Sequence, residues 1–210
     1  MALDEALLDS SSRFGSPVLR FYTWSGPAAS FGYSQKYTDA CKWTPVRPLV
    51  RRPTGGGLVV HLSDWTYSVV FPPKHPWYRL RAAESYAQMH RRIQAVFIKL
   101  GVETNLAQVP APGLAGKCFA RSEKSDLVFG GTKIAGAAQR RSRTGLLIQG
   151  SVQLGSMSID REQWIELMKA MLPTEKKSVW KTLRLDSDNV ERVKVLMEGK
   201  YTRKKYHQRR

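Results

Sequence analysis

The stretch RRPTGGGLVVH, Arg51 to His61, sets two arginines, a proline, a threonine and three consecutive glycines directly ahead of an apolar run. Glycine loses more conformational freedom on folding than any other residue, so three in a row need a reason. Without β-carbons the chain can adopt positive dihedrals and expose its N–H groups. With Arg51 and Arg52 alongside, the loop suits a phosphate or carboxylate held by a backbone nest and guanidinium forks. The run matches neither the dinucleotide-binding glycine pattern nor the phosphate loop that ends in Gly-Lys-Ser/Thr. An irregular hairpin entry is the purely structural reading of the same residues.

Downstream of the glycines, Leu58–Val60 and Trp65–Phe71 have strand composition around a polar Ser63-Asp64 turn, which predicts a hairpin. Upstream, Val18–Trp24 and PLVRRP read as strands, with a helix from about Ser34 between them. A short helix over Met1–Leu8 begins the chain. Apolar residues recur at spacings of three and four from Ala83 to Leu100, predicting a helix over Arg81–Leu100 with Gly101 beyond its end. Ala107–Lys117 reads as a loop. SDLVF and TKIAGAAQRR form a second predicted hairpin around Gly130-Gly131, and Leu146–Gly155 a further strand. A helix capped by Ser158 or Asp160 and stopped by Pro173 follows, then a helical register from Val190 to Met197 and a basic finish. Strands, hairpins and helices alternate irregularly, so the fold class is α+β, with no linker dividing residues 1–210 and a basic tail from about residue 199.

The 210 residues carry 34 Lys plus Arg against 17 Asp plus Glu, a formal charge of +17. That field favours acidic partners, nucleic acid included, without choosing among them. Two cysteines, Cys41 and Cys118, are too few for a disulfide framework and lack zinc or iron–sulfur spacing. With no secretory leader pattern and no window of about 18 apolar residues, a soluble cytoplasmic protein without membrane attachment is expected. The four histidines are scattered, and no metal site is expected.

Cys118 lies at the end of the Ala107–Lys117 loop, with Lys117 adjacent and Lys133 on the following strand. A nearby ammonium favours thiolate and nucleophilicity; an inert buried cysteine is the alternative. His61 allows a catalytic or a structural role.

Taken together, RFYTW at Arg20–Trp24, SFGYSQ at Ser30–Gln35, RRPTGGGLVVH with DWTYSVV, ESY at Glu84–Tyr86, KCF at Lys117–Phe119 and GTKIAGAAQRR at Gly131–Arg141 with LLIQGSV resemble the biotin/lipoate A/B protein ligase family. The nearest branches are the cysteine-dependent octanoyltransferases and the catalytic domain of lipoate–protein ligases. The resemblance implies a central mixed sheet with flanking helices, in which the RRPTGGG loop and the GTKIAG strand line one acyl cleft. Cys118 is then the nucleophile and Lys133 the cation that draws the carbonyl oxygen. Arg51, Arg52, Thr54, Gly55, Gly56, Gly57, His61, Gly131, Ile134, Ala135 and Gly136 are the acyl and substrate contacts. Trp24, Leu58, Val60 and Val152 are expected along the chain-binding slot.

The resemblance further implies transfer of octanoyl from acyl carrier protein to the lysine of a lipoyl domain of a 2-oxoacid dehydrogenase, or of glycine-cleavage H protein, without a cofactor. The alternatives are an ATP- and Mg2+-dependent lipoate or octanoate ligase and a non-catalytic binder of carrier protein or nucleic acid. The short C-terminal remainder after Leu154 disfavours a ligase with an accessory domain. Three positions depart from the family pattern. Leu62 follows His61 where an aspartate is common, Arg121-Ser122 follows the CF pair in place of proline-serine, and Ile148 stands where histidine is frequent.

Overall fold

The computed structural model describes residues 1–110, 116, 118–172 and 179–209. Lys117, Pro173 and most of the predicted Ala107–Lys117 loop lie outside the described residues. The first half runs α1 (Ala2–Asp9), α2 (Ser11–Phe14), β1 (Val18–Tyr22), β2 (Ala28–Phe31), α3 (Tyr37–Trp43), β3 (Leu49–Arg51), β4 (Val59–His61) and β5 (Trp65–Phe71). It continues with α4 (Pro76–Arg79), α5 (Ala82–Lys99), β6 (Asn105–Leu106), a 3-10 turn at Cys118–Ala120, β7 (Leu127–Phe129), β8 (Thr132–Ser142) and β9 (Gly145–Val152). Helix α6 (Arg161–Met171), α7 (Ser187–Leu196), a π-turn at Met197–Tyr201 and α8 (Lys204–Gln208) complete it.

Six strands form one sheet in the order β1-β5-β9-β8-β7-β6, and every pairing in it is antiparallel. The central sheet is therefore not mixed, as the family resemblance implied. The parallel pairing, β2 with β3, belongs to a second sheet ordered β3-β2-β4. The predicted β4–β5 hairpin does not form either. Strand β5 is flanked by β1 and β9, which leaves it no free edge, and Leu62-Ser63-Asp64 carry the chain from one sheet to the other. The β7–β8 hairpin forms as read, with Gly130 and Gly131 both at positive φ, 53° and 78°.

Side-chain alternation gives the central sheet two different faces. Trp65, Tyr67, Val69 and Phe71 of β5, with Leu146, Ile148 and Val152 of β9, face α5 and α6 and pack on Met89, Ile93, Val96, Phe97, Trp164 and Met168. The intervening residues face away. Val70 and Leu147 meet Leu7 and Leu8 of α1, and Thr66, Ser68, Gln149 and Ser151 look towards the small sheet. Buried Asp4 of α1 accepts hydrogen bonds from Arg20, Ser68 and Gln149 there. Helix α3 starts three residues later than predicted. Gln35 is held in a turn, accepting from the Gly32 N–H and donating to the Gly116 carbonyl.

The basic finish read from the sequence as a tail is packed structure up to Arg209. Tyr206 is buried, and Glu5 of α1 accepts from Lys200 Nζ and Tyr201 Oη at 2.6 Å each. Arg51, fully buried, donates to the carbonyls of Tyr33, Gln35, Tyr206, His207 and Arg209. A guanidinium has donors enough to gather several carbonyls at once, which fixes the C-terminal segment against β3. Among the described residues no helix is long and apolar enough to cross a membrane.

Replacing Arg51 with leucine strands those carbonyls in a buried site. Thermal denaturation of Arg51→Leu is expected to show a loss of about 3 kcal/mol or more, about 6–12 °C in Tm. An unchanged midpoint would mean that the guanidinium does not hold this segment.

Candidate active site

A small cavity, about 30 Å³ inside and about 400 Å³ with the open space at its mouth, lies between the two sheets. Its walls are Ser30, Val59 and His61 on the small sheet, Tyr22, Thr66, Gly136–Ala138 and Gln149–Ser151 on the central sheet, the loop of Arg52, Gly56 and Gly57, and Met1 at the chain's start. Close main-chain approach is what the glycines permit. A β-carbon on Gly32 would sit 2.0 Å from the Gly56 carbonyl oxygen; on Gly57 it would sit 2.8 Å from the Gly116 oxygen and 2.9 Å from the Cys118 nitrogen. In that space Leu58 N–H donates to the Gly116 carbonyl at 2.6 Å and Cys118 N–H to the Leu58 carbonyl at 2.8 Å. The glycine run thus seats the cysteine-bearing segment on the start of β4.

Cys118 Sγ faces the cavity beside Gly136, where an added β-carbon would meet Lys133 Cε at 2.8 Å and Sγ at 3.3 Å. Lys133 Nζ is 3.3 Å from Sγ and 2.6 Å from Asp126 Oδ2. Asp126, fully buried, also accepts from the Glu123 N–H and from Tyr86 Oη. Burial first, then the Asp126 carboxylate, holds the Tyr86 phenol well above its usual range, so it stays a donor. His90 stacks on Tyr86 with ring centroids 4.3 Å apart and donates from Nδ1 to the Tyr86 carbonyl. Burial pushes His90 down to about 4 against the opposing pull of Asp126, and at neutral pH it is uncharged.

A second polar chain also lines the cavity. Ser30 Oγ is 2.6 Å from His61 Nε2, and His61 Nδ1 is 2.8 Å from Asp64 Oδ2. Asp64 also accepts from Ser151 and Thr66, and the Trp24 ring stacks on His61 at 4.2 Å. Arg52 donates to Ser30 Oγ and to the carbonyls of Gly55 and Gly57. Burial lowers its guanidinium to about 10, with Cys118 and Tyr22 opposing, which leaves it charged at pH 7.

The structure brings together Cys118, Lys133, Arg52, Gly56, Gly57, His61 and Gly136. The other expected contacts lie elsewhere. Arg51 points out of the cavity into the C-terminal segment, because neighbouring residues leave the chain on opposite sides. Thr54 pegs the loop by donating to Gln149 Oε1, and Gly55 lines a shallower outer pocket with Tyr33 and Arg140. Gly131 is in the exposed β7–β8 turn, while Ile134 and Ala135 are buried in the helix-side core. The expected slot of Trp24, Leu58, Val60 and Val152 is off by one along β4. Val59 and His61 face the cavity, Leu58 and Val60 pack on the small-sheet core, Val152 packs on the helix side, and Trp24 stands behind His61.

The departures from the family pattern resolve geometrically. Exposed Leu62 leaves the carboxylate role to Asp64, Ile148 faces the helices, and Arg121 pairs with Glu123 at the surface. Ser30, Asp64, Asp126, Gln149 and Ser151 escaped the sequence reading as site residues. Only Asp64, three residues past His61, and Tyr86 of the ESY motif left a usable trace.

Chemically, an ammonium against the sulfur supplies a positive group where negative charge develops on an attacked carbonyl. The profile of the lipoyl protein ligase A/B catalytic domain matches residues 1–205. Over 167 residues the chain is 36% identical to the octanoyltransferase LipM of Carboxydothermus hydrogenoformans, covering 77% of this chain and 62% of that protein. It is 37% identical over 173 residues to LipM of Staphylococcus aureus, covering 76% and 62%. The chain thus spans less than two thirds of the length of these relatives. Among solved structures, a lipoate-protein ligase A bound with ATP superposes with a TM-score of 0.76 at 19% identity, covering 99% of this chain and 92% of that one. The bipartite lipoate protein ligase of Thermoplasma acidophilum gives 0.62 at 19%, covering 99% and 89%. At such identities these two likenesses show the fold.

Peptide-resolved iodoacetamide labelling at pH 7, with Cys41 as internal reference, is expected to slow roughly tenfold at Cys118 in Lys133→Met. Equal rates would mean that the ammonium does not act on the sulfur. The unfolded chain binds the His90 proton below pH 6.5 while the folded chain resists it down to about 4, so stability is lost as pH falls through that window. Urea titrations from pH 6.5 to 4 should show up to about 3 kcal/mol of destabilisation that His90→Leu removes. A slope surviving in that variant would assign it to other groups.

Proposed function

The chain belongs to the lipoyl protein ligase A/B catalytic-domain family, and we propose that it is an octanoyltransferase working through a Cys118 acyl-enzyme. The 3.3 Å approach of Lys133 Nζ to Cys118 Sγ at the edge of the cavity carries this reading. The Cys118 thiolate attacks the carbonyl carbon of octanoyl carried as a thioester on acyl carrier protein. Negative charge that builds on the carbonyl oxygen is met by the Lys133 ammonium. The carrier's C–S bond then breaks, and the carrier sulfur leaves as a thiolate and takes up a proton. In the second half the neutral ε-amine of an acceptor lysine attacks the acyl-enzyme, loses a proton, and expels the Cys118 thiolate.

Thioester-to-thioester exchange is close to energetically neutral and amide formation runs downhill, so the reaction balances without ATP or metal. The acceptor is the lysine of a lipoyl domain or of glycine-cleavage H protein. A formal +17 steers such acidic partners towards the site and makes encounter sensitive to salt. Both cysteines are free thiols, in keeping with a cytoplasmic enzyme.

Incubation with octanoyl acyl carrier protein, followed by intact-mass measurement, should reveal one hydroxylamine-labile octanoyl adduct on the wild type and none on Cys118→Ala. Transfer to a lipoyl domain should disappear in the same variant. An adduct that persists without Cys118, or modification that requires free octanoate and ATP, would contradict the mechanism.

A further inference from the structure

The wall facing Cys118 across the cavity is built unlike the rest of it. Gly136, beside Cys118 Sγ, pairs with Ser151, Ser151 with Thr66, and Thr66 with Tyr22, so the cavity crosses the strands of the central sheet. Asp64 bridges Ser151 and Thr66 and holds His61 above them. At about 4.8 Å per strand, His61 stands one to two strands from Gly136, about 5–10 Å away. Strand β4 gives a second path. Cys118 is hydrogen-bonded to Leu58, and His61 lies three extended residues further on, about 10 Å. From ordinary C–C bond lengths an extended octanoyl chain spans about 9 Å between its carbonyl and its terminal methyl.

The wall is also stiff. Both imidazole nitrogens are engaged, Ser30 Oγ contacts His61 and Arg52, and Trp24 seals the outer side of His61 while donating to Thr66 Oγ1 at 3.1 Å. Moving His61 aside for further methylenes would break two buried hydrogen bonds and a ring stack together. Elsewhere the lining combines the small residues Gly136, Ala137 and Ala138 with the larger side chains of Met1, Tyr22, Val59 and Gln149.

We propose that His61, braced by Ser30 and Asp64 and backed by Trp24, is the specificity-determining residue that ends the acyl slot and limits the transferred group to about eight carbons. This rests on the acyl-enzyme reading above and adds the residue that sets its chain length.

The test compares acylation of Cys118 by acyl carrier protein loaded with saturated chains of eight, ten and twelve carbons, read by mass over time. The wild type should take octanoyl at least about tenfold faster than dodecanoyl, the discrimination that a closed hydrophobic site achieves for added methylenes. In His61→Ala and in Trp24→Ala that ratio should fall to within about threefold, through a gain on dodecanoyl. Trp24→Ala alone decides if His61→Ala fails to fold, since Trp24 is half-buried and outside the cavity lining. A wild-type ratio retained in a folded variant, or a wild type indifferent to length, overturns the gauge and leaves acyl transfer standing. A wild type that accepts no chain overturns both.

Discussion

Main-chain contact between segments far apart in sequence is the constraint from which this site follows. Gly32 meets Gly56, and Gly57 meets Gly116 and Cys118, at separations where a β-carbon would collide with backbone. These contacts close the small sheet, its glycine loop and the cysteine segment into one rim. The entropy that three successive glycines lose on folding is offset by hydrogen bonds that no bulkier loop could make there. Guanidiniums complete the rim from two sides: Arg52 ties the loop carbonyls to Ser30, and Arg51 ties the neighbouring strand to the C-terminal segment.

Inside that rim the charges are arranged for a demanding environment. A buried ammonium without a counter-charge is strongly disfavoured, and Asp126 supplies one while three donors, Lys133, Tyr86 and the Glu123 N–H, satisfy Asp126 in turn. The ammonium is consequently held at the sulfur by a structure that extends back through Tyr86 and His90 into α5. On the opposite wall Asp64 plays the equivalent part for His61. Both polar clusters are therefore tied into buried hydrogen bonds, and Gly136, Ala137 and Ala138 share the space between them with Met1 and Tyr22.

Much of this was legible in the sequence. Period-two and period-three-to-four patterns located β5, β8 and α5 within a residue, β9 with an end three residues too long, and the Gly130-Gly131 turn was correct because its dihedrals demand glycine. Pairing was harder to read. The Leu58–Val60 and Trp65–Phe71 strands looked like a hairpin, yet β5 is claimed on both edges by β1 and β9, a long-range outcome that local composition does not encode. Facing was harder still. One step of register along β4 separates Leu58 and Val60, in the core, from Val59 and His61, in the cavity, and the adjacent pair Arg51 and Arg52 divides in the same way. Ser30 and Asp126 acquire their meaning only from partners 31 and 7 residues distant, so no spacing rule pointed to them.

The most direct measurement is a crystal structure of the protein with an S-octyl group placed on Cys118 by alkylation. The alkyl chain should run from Gly136 across Ser151 to end against His61, with Lys133 Nζ still within hydrogen-bond reach of the sulfur. A chain lying in solvent, or a sulfur turned away from Lys133, would contradict the account.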